Sequence, residues 1–256
     1  MSDEPALRPN WRSLTPARIG LGRTGASQTT ADVLGFALDH ARARDAVHAP
    51  LDAEKLVRAL GEAGRRALRV CSQATDRSLY LARPDLGARL DPDSAARLDA
   101  CAARGMDLVI VLADGLSSLA LEHAPALLAR LAPRLEAEGW RLAPLVIARQ
   151  ARVALGDEIG ERLQAGMALV LIGERPGLTA ADSLGAYLTW SPRVGTTNAQ
   201  RNCVSNIRPQ GLPPSEAADT LHWLITEARR RGLTGTGLKD ESPPAAAALP
   251  RSGGDH

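Results

Sequence analysis

Apolar residues follow two different patterns along this chain. Through roughly the first seventy residues they recur at helical spacing, as in Val33, Leu34, Ala37, Leu38 and Ala41. Spacings of three and four put them on one face of an α-helix, and Thr29 or Thr30 stands where a cap is needed. The stretch "HAPLDAEKLVRALGEAGRRAL" repeats the pattern. It predicts a second helix capped by Asp52, with its body from Lys55 to Leu68 and Leu56, Leu60 and Leu68 turned inward. Residues 71–105 then mix short extended pieces with turns. Pro84 and Pro92 interrupt this joining segment, and Asp93 or Ser94 is placed to cap one short helix in it.

From residue 106 the apolar residues bunch instead of alternating. "MDLVIVLA", "APLVIA" and "MALVLIG" are compact runs, and helical stretches separate them. Short buried runs alternating with helices predict a parallel sheet wrapped by crossovers. "SLGAYLTW" reads as a fourth strand, and "SEAADTLHWLITEARRRG" as a closing helix capped by Ser215. The fold class is therefore α/β, with a helical N-terminal part (19–70), the joining segment, and a sheet domain (106–240). A Pro/Arg-rich arm (1–18) and a Pro/Ala/Gly-rich tail (241–256), expected to be disordered, flank these parts.

Composition narrows the function. The 256 residues are 45% apolar and 23% charged, ordinary values for a globular protein. Aromatics make up only 3%, so Ala, Leu, Val and Ile must build the core. A net charge of +2 with interleaved arginines and acids argues against nucleic acid or an anionic membrane as the partner. Cys71, Cys101 and Cys203 are widely spaced and odd in number, which fits free thiols in a reducing cytosol. No apolar run is long enough to span a bilayer.

One motif suggests a nucleotide. Gly20-Leu21-Gly22-Arg23-Thr24-Gly25 has G-x-G-x-x-G spacing, and Asp45 follows about twenty residues on. A dinucleotide loop needs a buried strand before its first glycine and a second strand ending at the acid. "RSLTPAR" precedes Gly20, and Asp45 continues a charged helix. Both conditions fail, so this stretch is expected to be a turn leading into the first helix.

Ligands of open α/β sheets bind outside the carboxyl ends of the strands. Those ends carry Asp114-Gly115-Leu116-Ser117-Ser118, Arg149-Gln150-Ala151-Arg152-Val153 and Gly173-Glu174-Arg175-Pro176-Gly177. A later polar segment, "TNAQRNCVSNIRPQG", adds Arg201, Asn202, Cys203, Ser205, Asn206 and Arg208. Asp114 reads as a turn residue. No G-x-S-x-G elbow or P-loop lysine is present, and the histidines form no Ser-His-Asp set. These loops offer amides, guanidiniums and hydroxyls, which suit a polar ligand more than a catalytic triad or a metal.

Several longer motifs have no common physical cause. "LVIVLADGLSS", "LAPLVIARQARVALGDEIGE", "LIGERPGL" and "DSLGAYLTWSPRVGTTNAQRNCVSNIRPQGL" closely resemble the small (light) subunit family of ethanolamine ammonia-lyase. "GRTGASQTTADVLGFALDHARARDAVHAPLD" resembles the same family, and the match spans roughly residues 18–241. The resemblance implies a carbon–nitrogen lyase that uses adenosylcobalamin to convert ethanolamine to acetaldehyde and ammonia. It implies a heteromer of αβ pairs in which a large subunit carries the catalytic machinery. The small subunit would combine a helical N-terminal part with a Rossmann-like sheet domain, and cobalamin would lie between the two chains. The setting is bacterial ethanolamine catabolism, in the cytoplasm or in a protein-shelled microcompartment. Carried over by motif, the cofactor contacts are Val153 in "RQARVALGDE", Glu174 in "LIGERPGL" and Cys203 in "QRNCVSNI". No D-x-H-x-x-G occurs, so the cofactor is expected to keep its own dimethylbenzimidazole as lower ligand, with no metal ligand from this chain.

Overall fold

The computed structural model describes residues 18–19, 21, 23–62 and 66–242. All of the arm but Arg18, nearly all of the tail, and Gly20 and Gly22 lie outside these residues. The part of the glycine motif that is described forms a small hairpin, β1 (Arg23–Thr24) with β2 (Ser27–Gln28). Gly25 turns it with φ 64°, a value that glycine adopts without strain. Helix α1 (Thr30–His48) follows, and the Thr29 side chain accepts the Asp32 N–H. Helix α2 (Ala53–Glu62) is capped by Asp52, whose Oδ1 accepts the Lys55 N–H at 2.8 Å.

The second helix ends earlier than its apolar spacing predicts. Leu68 lies in strand β3 (Ala67–Cys71), an edge strand of the main sheet. Spacing alone does not expose the break, because Leu60 and Leu68 are eight residues apart and continue a helical face. The segment after β3 holds α3 (Arg77–Ala82), capped by Asp76, and α4 (Pro92–Asp99). Asp91 caps α4 by accepting the Asp93 and Ser94 N–H groups. The cap is therefore Asp91 and not Asp93 or Ser94, and the helix starts two residues before the point an Asp93 cap would set, because proline needs no N–H partner in the first turn.

Strand β4 (Leu108–Ala113) is buried at every residue. A 3₁₀ turn (Ser118–His123) and α5 (Ala124–Ala137) lead to β5 (Leu145–Arg149). Helix α6 (Leu155–Arg162) crosses back to β6 (Met167–Gly173). Two more strands, β7 (Leu184–Trp190) and β8 (Arg201–Ile207), precede α7 (Pro214–Arg231). No side chain caps the start of α7, so Ser215 sits inside its first turn and does not cap it. Gly232 ends the helix in the left-handed conformation.

The sheet order is β3-β5-β4-β6-β7-β8. The first four strands are parallel, and β7 and β8 are antiparallel additions. The sheet is thus mixed, where the run pattern predicts a parallel one. A buried apolar run carries no sign of its direction. Segment 201–207, read as a polar loop, is a strand at the far edge. Helices α2, α5 and α7 pack one face through Leu127, Leu131, Leu221 and Ile225. Helices α4 and α6 pack the other through Leu98, Leu155 and Ile159. After β4 the chain leaves toward β5, and after β6 it turns to β7. The chain thus leaves the two neighbouring strands in opposite directions along the sheet, which makes their carboxyl ends a topological switch point.

Candidate functional site

Two glycines let the β4 and β6 exits approach each other. Gly115 has φ 56°, and a Cβ there would lie 2.2 Å from the Gly173 carbonyl oxygen. A Cβ on Gly173 would lie 1.9 Å from the Ser117 oxygen and 2.7 Å from the Asp114 oxygen. Leu116 N–H donates to Gly173 across this contact at 2.9 Å. Replacing Gly173 with Ala must therefore move backbone. The expected cost is about 1–3 kcal/mol, seen as a lower urea midpoint at unchanged slope.

The third loop is fixed by a buried acid. The Asp114 carboxylate accepts the Gln150 N–H at 2.8 Å and the Ala151 N–H at 3.0 Å. Burial pushes its pKa up, and these backbone bonds pull against that. The side chain clamps a turn 36 residues further along the chain, in which Gln150 has φ 53°, a long-range role that the turn or helix-cap reading of Asp114 does not include. Tyr80 supports the same loop, its hydroxyl donating to the Ala151 oxygen at 3.1 Å. The guanidiniums of Arg77 and Arg152 lie over its ring, 4.7 and 4.2 Å from the centroid. Arg77 also donates to the Val47 oxygen at 2.6 Å and the Gly115 oxygen at 2.7 Å. It thereby joins the end of α1 to the strand ends.

Between these loops lies an open cleft of about 420 Å³. Val153 and Glu174 both line it, with Arg152, Arg175 and Tyr187. Glu174 is held from two sides: Oε2 accepts the Ser183 hydroxyl at 2.5 Å and the Asn206 N–H at 3.1 Å. Its Oε1 makes no hydrogen bond among the described residues and sits over Gly185, where a Cβ would come within 3.0 Å of it. Arg152 donates to the Tyr80 oxygen through Nη2, while its buried Nε has no partner among the described residues. The cleft thus offers one carboxylate oxygen, two guanidiniums, two tyrosine rings and the aliphatic side chains of Leu116, Val153 and Ile172.

Cys203 is exposed on β8, opposite Tyr187 on β7. Partial burial raises the thiol pKa above its ordinary value, with the neighbouring Tyr187 hydroxyl working the other way. A raised pKa leaves little thiolate at neutral pH. Iodoacetamide is therefore expected to label Cys203 slowly at pH 7.5, with the rate climbing only above pH 9. Fast labelling at neutral pH would contradict this placement.

Other residues from the polar segment serve the fold. Arg201 is buried against Asp157 of α6, with Nη1–Oδ1 2.5 Å and Nη2–Oδ2 2.6 Å. Asn202 bonds the Gly235–Gly237 turn and the Leu238 oxygen. Arg208 pairs with Asp182 and donates to the Thr179 oxygen. Tyr187 and Arg77 do not stand out in the sequence. The one available signal for Tyr187 is a polar-tipped aromatic in a mostly apolar strand.

Among the described residues, no group of three or more His, Cys, Asp and Glu side chains is placed to hold a metal, and no helix is long and apolar enough to cross a membrane. Fold and site together define an α/β domain with an open cleft, lined by polar and apolar side chains, at the carboxyl ends of its strands. A model of the ethanolamine ammonia-lyase light chain matches residues 7–239. The small subunit of ethanolamine ammonia-lyase from Xanthomonas campestris pv. campestris is 54% identical over 235 residues, covering 90% of this chain and 86% of that one. The Azotobacter vinelandii small subunit is 54% identical over 260 residues, covering 96% and 94%. The Pseudomonas aeruginosa small subunit is 52% identical over 248 residues, covering 94% and 91%. The chain belongs to the ethanolamine ammonia-lyase small-subunit (light-chain) family.

Proposed function

We propose that this chain and a large subunit form an adenosylcobalamin-dependent ethanolamine ammonia-lyase, which converts ethanolamine to acetaldehyde and ammonia. In this reading the strand-end cleft is one wall of the cobalamin site, and the large subunit closes it. The observation that carries the reading is the meeting of Val153 and Glu174, from separate loops, in one open cleft. Cys203 stands beside it, opposite Tyr187 of the same lining.

The donor set fits the group. A corrin carries peripheral amides, each with N–H donors and a carbonyl acceptor. Glu174 Oε1 is positioned to accept from such an amide in a charge-assisted bond. Arg152, which lines the cleft, brings a guanidinium that can donate to an amide oxygen. Val153 gives aliphatic contact, and Cys203 a small polarisable surface. When bound, adenosylcobalamin supplies the radical chemistry of the reaction. The residues of this chain bind and orient, and together with the large subunit they keep water out. None of them needs to bind cobalt. The same reading sets the work in the bacterial cytoplasm or in a microcompartment there.

The test is co-expression with the large subunit, followed by adenosylcobalamin and ethanolamine. Acetaldehyde is expected only when both chains are present. A well-formed complex that binds the cofactor and releases no acetaldehyde would sink the assignment.

A further inference from the structure

Helix α3 lies in the joining segment, to which the sequence assigns no part in the site, yet it reaches two rims of the cleft. Arg77 donates to the Gly115 oxygen on one rim and, at 3.4 Å, to the Gln150 side chain on the other. Tyr80, one turn further on, donates its hydroxyl to the Ala151 oxygen. Its ring lies under the Arg152 guanidinium, 4.2 Å from the ring centroid. Arg152 also meets the joining segment through hydrogen bonds. Its N–H donates to the Gly87 oxygen at 2.8 Å, and its Nη2 to the Tyr80 oxygen at 3.1 Å. Gly87 leaves room for this packing. A Cβ there would stand 2.9 Å from Arg152 Cγ and 3.0 Å from Tyr80 Cδ2.

Tyr80 borders the cleft but is 0% exposed. A ligand in the cleft meets Arg152 and Val153, not a side chain sealed from solvent. Whatever Tyr80 contributes to binding therefore passes through its neighbours. A free arginine side chain samples many rotamers, and ordering it on binding lowers affinity. Here the ring and the Tyr80 carbonyl hold the guanidinium, and the Gly87 carbonyl holds the backbone, before any ligand arrives. The hydroxyl stays a donor throughout the physiological range, because burial pushes the phenol up to about 12.

We infer that Tyr80 is a positioning residue for the ligand of this cleft: it sets the Arg152 guanidinium and the backbone that carries Val153. This rests on the reading of the cleft as the cofactor wall. It adds that the joining segment, which holds none of the contacts Val153, Glu174 and Cys203, governs cofactor affinity from behind the lining.

The experiment titrates the complete heteromer with adenosylcobalamin by absorbance, for Tyr80→Leu and Tyr80→Phe. Tyr80→Leu removes ring and hydroxyl, and the dissociation constant is expected to rise on the order of tenfold. Tyr80→Phe keeps the ring beneath Arg152 and loses the hydroxyl, so a rise of about threefold is expected. Both losses should shrink to less than about twofold once Arg152→Ala and Val153→Ala are present, because the side chains that Tyr80 positions are then gone. They should persist in full beside Glu174→Ala, which lies on another loop. A residue that only stabilised the fold would weaken both backgrounds alike. Wild-type affinity in Tyr80→Leu, or an equal loss in the two backgrounds, would overturn the inference. If circular dichroism shows that Tyr80→Leu does not fold, Tyr80→Phe decides by the same comparison. A wild-type heteromer that binds no adenosylcobalamin would defeat the cofactor reading and this inference together. Tight binding that is indifferent to residue 80 would defeat this inference alone.

Discussion

Arg201→Ala is expected to destabilise the chain by about 3–5 kcal/mol. Its guanidinium and the Asp157 carboxylate are only 3% and 2% exposed and form a bidentate pair. Further bonds run from Arg201 to the Thr189 hydroxyl at 3.1 Å and the Thr196 oxygen at 2.7 Å. Removing the arginine leaves a buried carboxylate with no counter-charge, and that desolvation is the main cost. Asp157→Ala should cost a similar amount by stranding the guanidinium. Replacing the two together, with Leu at 157 and Met at 201, should recover most of the loss, since a well-packed apolar pair often matches a buried ion pair. Urea melts of the three variants test this. Single variants within about 1 kcal/mol of wild type would mean that the pair is not buried as described. The consequence extends to function, because this pair fastens edge strand β8 to α6 two residues before Cys203.

Glu174→Ala is expected to weaken adenosylcobalamin binding by the assembled heteromer about tenfold to a hundredfold, with the chain still folded. The estimate follows from about 1.5–3 kcal/mol for a hydrogen bond to a charged group. Glu174→Gln should fall between, because its amide oxygen still accepts but carries no charge. Part of any loss comes from the support network, since Glu174 also receives the Ser183 hydroxyl and the Asn206 N–H. Ser183→Ala separates the two parts: it frees the carboxylate without removing it, and a smaller effect is expected. Absorbance titration of the complexes gives the affinities. Unchanged affinity in Glu174→Ala would remove this residue from the cofactor wall.

Most of the core was legible because β4, β5 and β6 are runs of consecutive buried aliphatics with helices between them. The edges were not. In β3 only Val70 is buried and Arg69 points out to Glu54, so "ALRVC" shows neither a run nor an alternation. In β8 a buried arginine holds a position that an apolar residue would ordinarily mark, and its partner lies 44 residues back in α6. No local pattern carries such a pairing. The strand-end rule found the loops of the cleft, but the choice of Val153, Glu174 and Cys203 within them came from family resemblance. Tyr187 and Arg77 joined the site only through three-dimensional neighbours. Helix α1 shows the converse: its spacing marks a helix, yet among the described residues Val33, Leu34 and Leu38 stay exposed, so periodicity reports a helix without reporting how deeply it is buried.

The central claim is that the strand-end cleft of this chain faces the cofactor inside the heteromer. Thiol labelling tests it directly, by comparing Cys203 with Cys71 in one assembled complex before and after saturation with adenosylcobalamin. Cys71 lies at the opposite edge of the sheet on β3 and serves as the internal reference. The account predicts that the cofactor slows labelling of Cys203 several-fold relative to Cys71. An unchanged ratio at full cofactor occupancy would contradict it.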